Sequence, residues 1–67
     1  MLREYKIGEL SIRAVLTAAT GWGIRVGNEK EAIHFKELDE DRALVRAAVL
    51  AGIIGDEIER QRAEVRG

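Results

Sequence analysis

Four carboxylates lie close together near the middle of the chain: Glu37, Asp39, Glu40 and Asp41. Paired carboxylates can perform general acid and base catalysis when a cleft shifts the pKa of one of them. The same spacing is typical of a helix N-cap followed by an acidic first turn, which is favourable to the helix dipole. We favour the second interpretation, with Asp39 as the cap, and predict no catalytic residue in this segment.

The other residues that could do chemistry are one histidine and one serine. Ser11 has neither a G-x-S-x-G elbow nor a nearby base, so we expect it to cap a helix. We expect His34 to be exposed on a strand, with partner contact or pH sensing as alternatives. The chain has no cysteine, and a single histidine cannot form an imidazole cluster. The sequence therefore predicts no enzyme, no metal and no cofactor.

Three glycines, Gly21, Gly23 and Gly27, superficially resemble a phosphate-binding loop. Their spacing matches neither the dinucleotide-binding nor the P-loop pattern, and the segment leads into strands rather than into a helix. We interpret them as a helix cap, a strand glycine and a turn glycine. Trp22 is predicted to be a core residue, with an interface anchor as the alternative.

Charge and length restrict the function classes further. Eleven basic and twelve acidic residues give the 67-residue chain a net charge of −1, with the signs interleaved along the sequence. A protein that binds phosphate backbones usually concentrates its basic residues, so we expect no nucleic-acid partner. A single domain over residues 1–67 buries only about 60% of its unfolded surface. Without disulfides or a metal, we expect it to gain stability by forming a homo-oligomer.

The sequence does not predict a secreted or membrane protein. The charged segment 1–6 leads into no apolar stretch, so the cytoplasm is the expected location. The longest apolar stretch, 43–55, contains Arg46 and is shorter than the roughly 20 residues of a membrane-spanning helix. The lack of proline and the many Glu and Arg residues would suit a thermophilic source.

These residues must be positioned by a small α+β fold, for which we predict a helix, a β-hairpin and a long C-terminal helix. The first helix should begin at Ser11, because Ile12, Val15 and Leu16 then form one apolar stripe. It should end at Gly21, which can adopt the left-handed conformation that closes a helix.

The hairpin is predicted from two segments in which apolar residues alternate with small or polar ones, joined by a turn at 28–31. This turn makes one face of the hairpin apolar and leaves the other exposed to water. The predicted register places Val26 opposite Ile33 and Ile24 opposite Phe35 on the apolar face. On the solvent-exposed face it places Arg25 opposite His34. The expected core or interface residues of the chain are Leu10, Val15, Leu16, Ala19, Trp22, Ile24, Val26, Ile33, Phe35, Leu38, Leu44, Ala47, Ala48, Ala51 and Ile54.

The second helix should run from Asp39 almost to the C-terminus and is the expected site of self-association. Apolar residues recur in it every seven positions, which is typical of a short coiled-coil seam. Gln61 is the one polar residue of this seam, and Glu57 and Arg62 could pair between two helices. A break near 52–55 is the alternative, because glycine weakens a helix by roughly 1 kcal/mol relative to alanine. The predicted self-association residues are Leu44, Ala47, Ala51, Ile54, Ile58 and Val65.

The start of the chain is compatible with two structures. Tyr5 and Ile7 alternate with polar residues, so this segment is either a short third strand beside the hairpin or a lead-in turn of the first helix. The segment Tyr5-Lys6-Ile7-Gly8-Glu9-Leu10-Ser11 resembles the opening of MerR-type regulators, in which it leads into a helix-turn-helix. The resemblance ends after Gly21, where the chain alternates like a strand and offers no recognition helix.

The predicted layout of helix, hairpin and helix is similar to the N-terminal domain of Phd/YefM-type antitoxins and to small phage head-completion proteins. We therefore expect a non-enzymatic, homo-oligomerising interaction or assembly protein of viral or thermophilic origin, which associates through its second helix. The alternative is a small dimeric DNA-binding regulator or antitoxin. It would use Arg3, Lys6, Arg13 and Arg25.

Overall fold

The computed structural model describes residues 2–66, which form four antiparallel strands followed by one helix. The strands are β1 (Glu4–Ile7), β2 (Leu10–Thr17), β3 (Gly21–Gly27) and β4 (Ala32–Lys36), and the helix is α1 (Glu40–Arg66). Each strand pairs with the next along the chain, so the sheet order is β1-β2-β3-β4. The predicted α+β class is confirmed. Within residues 2–66, no helix has the length and apolar character needed to cross a membrane.

The predicted first helix is wrong, because the residues after Ser11 belong to strand β2. Ile12 and Leu16 fit a helical stripe. However, Ile12, Ala14 and Leu16 also occupy every second position, as the residues on one face of a strand do. Short apolar segments are compatible with both periods, and β-branched side chains favour the extended backbone. The burial of Ile12 and Ala14 on one side of β2 confirms the strand period.

The short N-terminal strand is confirmed as β1, and a two-residue turn joins it to β2 by pairing Ile7 with Leu10. Gly8, the first turn residue, has a φ of 62°, which glycine adopts without steric cost. A Gly-X pair between two alternating segments is a known hairpin signal. The segment that resembles MerR-type regulators therefore forms a hairpin here and no helix-turn-helix.

Gly21 ends the turn between β2 and β3 instead of ending a helix. Its φ of 76° is left-handed, as the sequence predicts, but the conformation closes a hairpin loop. The turn is stabilised by Thr17, whose Oγ1 accepts a hydrogen bond from the backbone N–H of Thr20 at 3.1 Å. Their two hydroxyl oxygens lie 2.6 Å apart. The prediction thus identified the backbone conformation correctly and assigned it to the wrong element.

The β3–β4 hairpin is confirmed with its predicted register, including Arg25 opposite His34 on the face away from the helix. The turn is held by Asn28, whose Oδ1 accepts hydrogen bonds from the backbone N–H groups of Lys30 and Glu31, both at 2.8 Å. Such side-chain acceptors are a common way for asparagine to fix a turn.

Helix α1 begins as predicted. The Oδ1 of Asp39 accepts a hydrogen bond from the backbone N–H of Arg42 at 2.8 Å. The helix continues to Arg66, so the alternative of a break near 52–55 is wrong. Packing against the sheet outweighs the glycine cost, as it usually does in tertiary structure. The buried core consists of Ile12, Ala14, Ile24, Ala43 and Ala47.

The helix lies over β1, β2 and β3 and leaves β4 uncovered. A 27-residue helix is about 40 Å long, whereas the eight residues of β2 span about 27 Å. The C-terminal part of α1 therefore extends past the sheet, and residues 59–65 are all exposed.

Candidate interaction surface

Strand β4 presents large apolar side chains without a helix above them. Phe35 pairs with Ile24 and Ile33 pairs with Val26, and directly paired residues of antiparallel strands point to the same face. Ile24 is fully buried on the helix-bearing face, whereas Ile33 is 62% and Phe35 48% exposed. Leu38, which follows β4, is 79% exposed. Two apolar residues of an edge strand are thus open to solvent beside the core.

Helix α1 adds a second row of exposed apolar residues. Val45, Val49 and Ile53 recur every four positions and are 50%, 51% and 60% exposed. Arg46 marks the side of the helix nearest β4, because its Nε lies 3.4 Å from the Oε2 of Glu37, just after that strand. Val49 and Ile53 follow Arg46 by three and seven positions, so they share that side. We define the uncovered apolar surface as Ile33, Phe35, Val49 and Ile53.

The six predicted self-association residues are divided between the core and the C-terminal part of α1. The residues that pack in or against the core of their own chain are Leu44, Ala47, Ala51 and Ile54. Ile58 is half-buried, and Val65 is 88% exposed. The seven-residue pattern therefore includes the helix face that packs on the sheet. A single chain does not test whether the same residues also join two helices, so that assignment stays a prediction.

The predicted charge pair between two helices involves a residue that already has partners within its own helix. The carboxylate of Glu57 accepts hydrogen bonds from Arg60 and, at 3.3 Å, from the Nε2 of Gln61. These are the i,i+3 and i,i+4 contacts expected on a helix surface. The pairing of Glu57 with Arg62 of another helix stays a prediction.

Three of the four central carboxylates make structural contacts. Asp39 caps α1, the Oε1 of Glu40 lies 3.6 Å from a guanidinium nitrogen of Arg3, and Glu37 pairs with Arg46. The Glu37 side chain is 12% exposed, so its pair is the more shielded of the two. In the part of the chain that the structure describes, no three His, Asp or Glu side chains are grouped closely enough to hold a metal ion.

The other chemistry-bearing residues lie in the sheet. Ser11 caps no helix, because it is inside β2, where its hydroxyl donates to the Oε2 of Glu4 at 3.0 Å. His34 is exposed on β4, as predicted. Trp22 packs against the core, as predicted, and the Arg3 guanidinium lies 5.5 Å from its ring centroid. This distance is within the range of a cation–π contact.

The sheet face away from α1 is basic, and the sequence analysis did not detect it. Alternate residues of a strand point to opposite faces, so charges that are interleaved in the sequence become separated in space. Three of the four residues named for the DNA-binding alternative lie on this face, whereas Arg3 lies on the helix-bearing face against Trp22. The charged strand residues on the open face are Lys6, Arg13, Arg25, Lys36 and Glu4.

Two patterns in the sequence indicate the basic face and the exposed helix row. The basic residues of the open face alternate with apolar ones in every strand, which is visible once β2 is read as a strand. The helix row Val45, Val49 and Ile53 has a spacing of four residues outside the predicted seam.

Comparison with known proteins identifies no relative, because no family model, curated protein or solved structure matches this chain.

Proposed function

We propose that this chain is a non-enzymatic assembly protein that associates with copies of itself through the uncovered apolar surface. The observation behind the proposal is that Ile33 and Phe35 are exposed on the same sheet face as the core. That core is small, since its buried members are two isoleucines and three alanines among the described residues. A second copy could provide the cover that one helix does not.

Burial of these side chains favours association. Full burial of a Val, Ile or Phe side chain contributes roughly 1.5–3 kcal/mol. The four residues of the uncovered apolar surface are about half exposed, so burying the remainder contributes roughly half of that amount for each, about 3–6 kcal/mol in total, against which the cost of association is set. Large exposed apolar patches on soluble proteins often mark interaction sites. Three of the four central carboxylates, engaged in a helix cap and in ion pairs, also support a non-enzymatic role.

The experiment is light scattering after size exclusion, at several concentrations of the purified chain. We expect a mass of at least two chains for the wild type. The double variant Ile33→Thr with Phe35→Thr should shift the mass towards one chain, because threonine keeps a strong strand propensity but removes the apolar groups. Circular dichroism checks that the variant is folded.

The matched control is Leu2→Thr, which makes a similar change at an apolar residue that is 64% exposed before β1 and lies outside both predicted contacts. Its mass should equal that of the wild type. A wild type that stays monomeric at high micromolar concentration, or a double variant that assembles normally, would contradict the proposal.

A second candidate function, a small DNA-binding regulator, is favoured by the basic face of the sheet. That face has four basic side chains against one carboxylate, although the chain as a whole is close to neutral. Phosphate contacts of this kind give binding that weakens steeply with salt. Fluorescence anisotropy with labelled duplex DNA at several salt concentrations distinguishes the two candidates.

A further inference from the structure

The outer edge of β4 has backbone groups without partners. Across the β3–β4 pair, the backbone N–H of Glu37 donates to the carbonyl of Trp22 at 3.0 Å, and that of Asn28 donates to the carbonyl of Glu31 at 2.8 Å. In an antiparallel ladder, such bonded positions alternate with positions whose groups point away from the neighbour. The register therefore directs the N–H and C=O groups of alternate β4 residues outward. These residues are Ala32, His34 and Lys36.

The other edge of the sheet is better protected. In β1, the residues on the helix-bearing face, Tyr5 and Ile7, are half-buried and pack against the core beneath α1. The residues on its open face, Glu4 and Lys6, are charged, which is a common protection against edge pairing. Strand β4 has one charged residue on its open face, Lys36, but it has no helix cover, and its helix-side residues are exposed and apolar. Of the two edges, β4 is the one suited to accept another strand.

We propose that two copies pair their β4 strands in antiparallel fashion about a twofold axis at His34, which forms one continuous eight-stranded sheet. This inference rests on the proposed self-association and specifies its geometry. The strand is self-complementary in this register, because its outward groups are spaced symmetrically around His34. Two bonds from each of the three opposed pairs give about six hydrogen bonds between the chains.

The same register brings the exposed apolar residues of β4 together. Ile33 of one copy lies opposite Phe35 of the other, and both point to the helix-bearing face. A β-branched residue opposite an aromatic one is a favourable cross-strand pair. Both helices lie on this face, so the open basic face continues across the two copies.

A like-charge contact arises at each end of the paired strands, because the twofold axis repeats it. Glu31 of one copy lies opposite Glu37 of the other, two positions beyond the Ile33–Phe35 pair. The charge of Glu37 is already balanced by Arg46 at 3.4 Å within its own chain. Edge pairing therefore places no unpaired carboxylate opposite Glu31.

The test uses the absence of cysteine from the natural chain. The variant His34→Cys places one thiol at the proposed axis, and a short bis-maleimide should join two chains rapidly at low micromolar concentration. The control Lys6→Cys places the thiol on the opposite edge of the sheet and should give little linked product. Denaturing electrophoresis measures both.

A second pair of variants tests the backbone hydrogen bonds. His34→Pro removes an outward N–H, which edge strands tolerate, so the chain should fold but lose most of its dimer. Lys6→Pro makes the same change in β1 and should leave the dimer intact. Light scattering and circular dichroism report mass and folding.

The outcomes separate the geometry from the proposed function. A wild type that assembles while His34→Cys fails to link, or while His34→Pro assembles normally, overturns edge pairing and leaves self-association standing. A monomeric wild type overturns both. Rapid linking of His34→Cys together with an unlinked Lys6→Cys supports the twofold axis at His34.

Discussion

Phe35 pairs directly with Ile24 across β3 and β4, yet Ile24 is fully buried and Phe35 is 48% exposed. The difference has a geometric cause. Strands lie about 4.8 Å apart, so a four-stranded sheet is about 14 Å wide between its outer strands, whereas a helix with its side chains is about 10 Å across. Because α1 lies over the first three strands, the fourth has no cover.

Two glycine-to-alanine variants should have opposite effects on stability. At Gly52 an added Cβ meets no atom within 4 Å, and alanine is favoured in a helix by roughly 1 kcal/mol. At Gly23 the Cβ would lie 2.6 Å from the carbonyl oxygen of Phe35, which is backbone and cannot move away cheaply. We expect Gly52→Ala to raise the melting temperature by about 4–8 °C and Gly23→Ala to lower it.

Thermal unfolding followed by circular dichroism measures both effects. Equal shifts for Gly52→Ala and Gly23→Ala would contradict the close approach of β4 to β3 at this position. A decrease for Gly52→Ala would indicate that the residue contacts something that a single chain lacks.

Removal of the cap of α1 should have a moderate cost. Asp39→Ala deletes the acceptor for the backbone N–H of Arg42, and the loss of such a cap typically destabilises a protein by about 1 kcal/mol. Asp39→Asn retains a good cap and is the control. Chemical denaturation should show a lower free energy of unfolding for the alanine variant only. An Asp39→Ala variant as stable as the wild type would argue against a stabilising cap.

The sequence predicts the second half of this fold well and the first half poorly. The β3–β4 register, the cap at Asp39 and the long helix follow from local signals that have one interpretation. The pattern of residues 11–17 has two interpretations, because Ile12 and Leu16 fit both the helical and the strand period. The turn signal at Gly8 decides between them, since it requires a second strand after it.

The candidate surface was harder to predict than the fold. Apolar periodicity identifies the helix face around Ala47, but it does not tell whether the partner of that face is the chain's own sheet or another copy. Tertiary packing decides this, and Ala47 is buried against the sheet of its own chain. The exposure of Ile33 likewise depends on the position of α1, which no local pattern contains.

Nucleic-acid binding should be weak despite the basic sheet face. The formal charge of the chain is −1, and glutamates in two turns at the same end of the face, Glu9 and Glu29, reduce its potential there. We expect no nanomolar complex with duplex DNA at physiological salt by fluorescence anisotropy. A tight, salt-sensitive complex that Arg13→Glu and Arg25→Glu each abolish would favour the regulator class instead.

The helix seam and the uncovered apolar surface lead to different expectations for two variants. Ile58 is half-buried near the point where α1 leaves the sheet, and the proposed β4 contact does not involve it. We therefore expect Ile58→Asp to keep the wild-type mass at a modest cost in stability. If the seam joins two helices, the same change puts a charge into the contact and should give a monomer.

Ala51→Glu cannot distinguish these surfaces by itself, because Ala51 packs against the core and a glutamate there should destabilise the chain by several kcal/mol. Glu59→Lys, at an exposed position of α1, is the charge control and should change neither mass nor folding. Light scattering on Ile58→Asp and on the Ile33→Thr, Phe35→Thr double variant shows which of the two surfaces forms the self-contact. If Ile58→Asp is monomeric while the double variant assembles, the self-contact lies on the helix seam and not on β4.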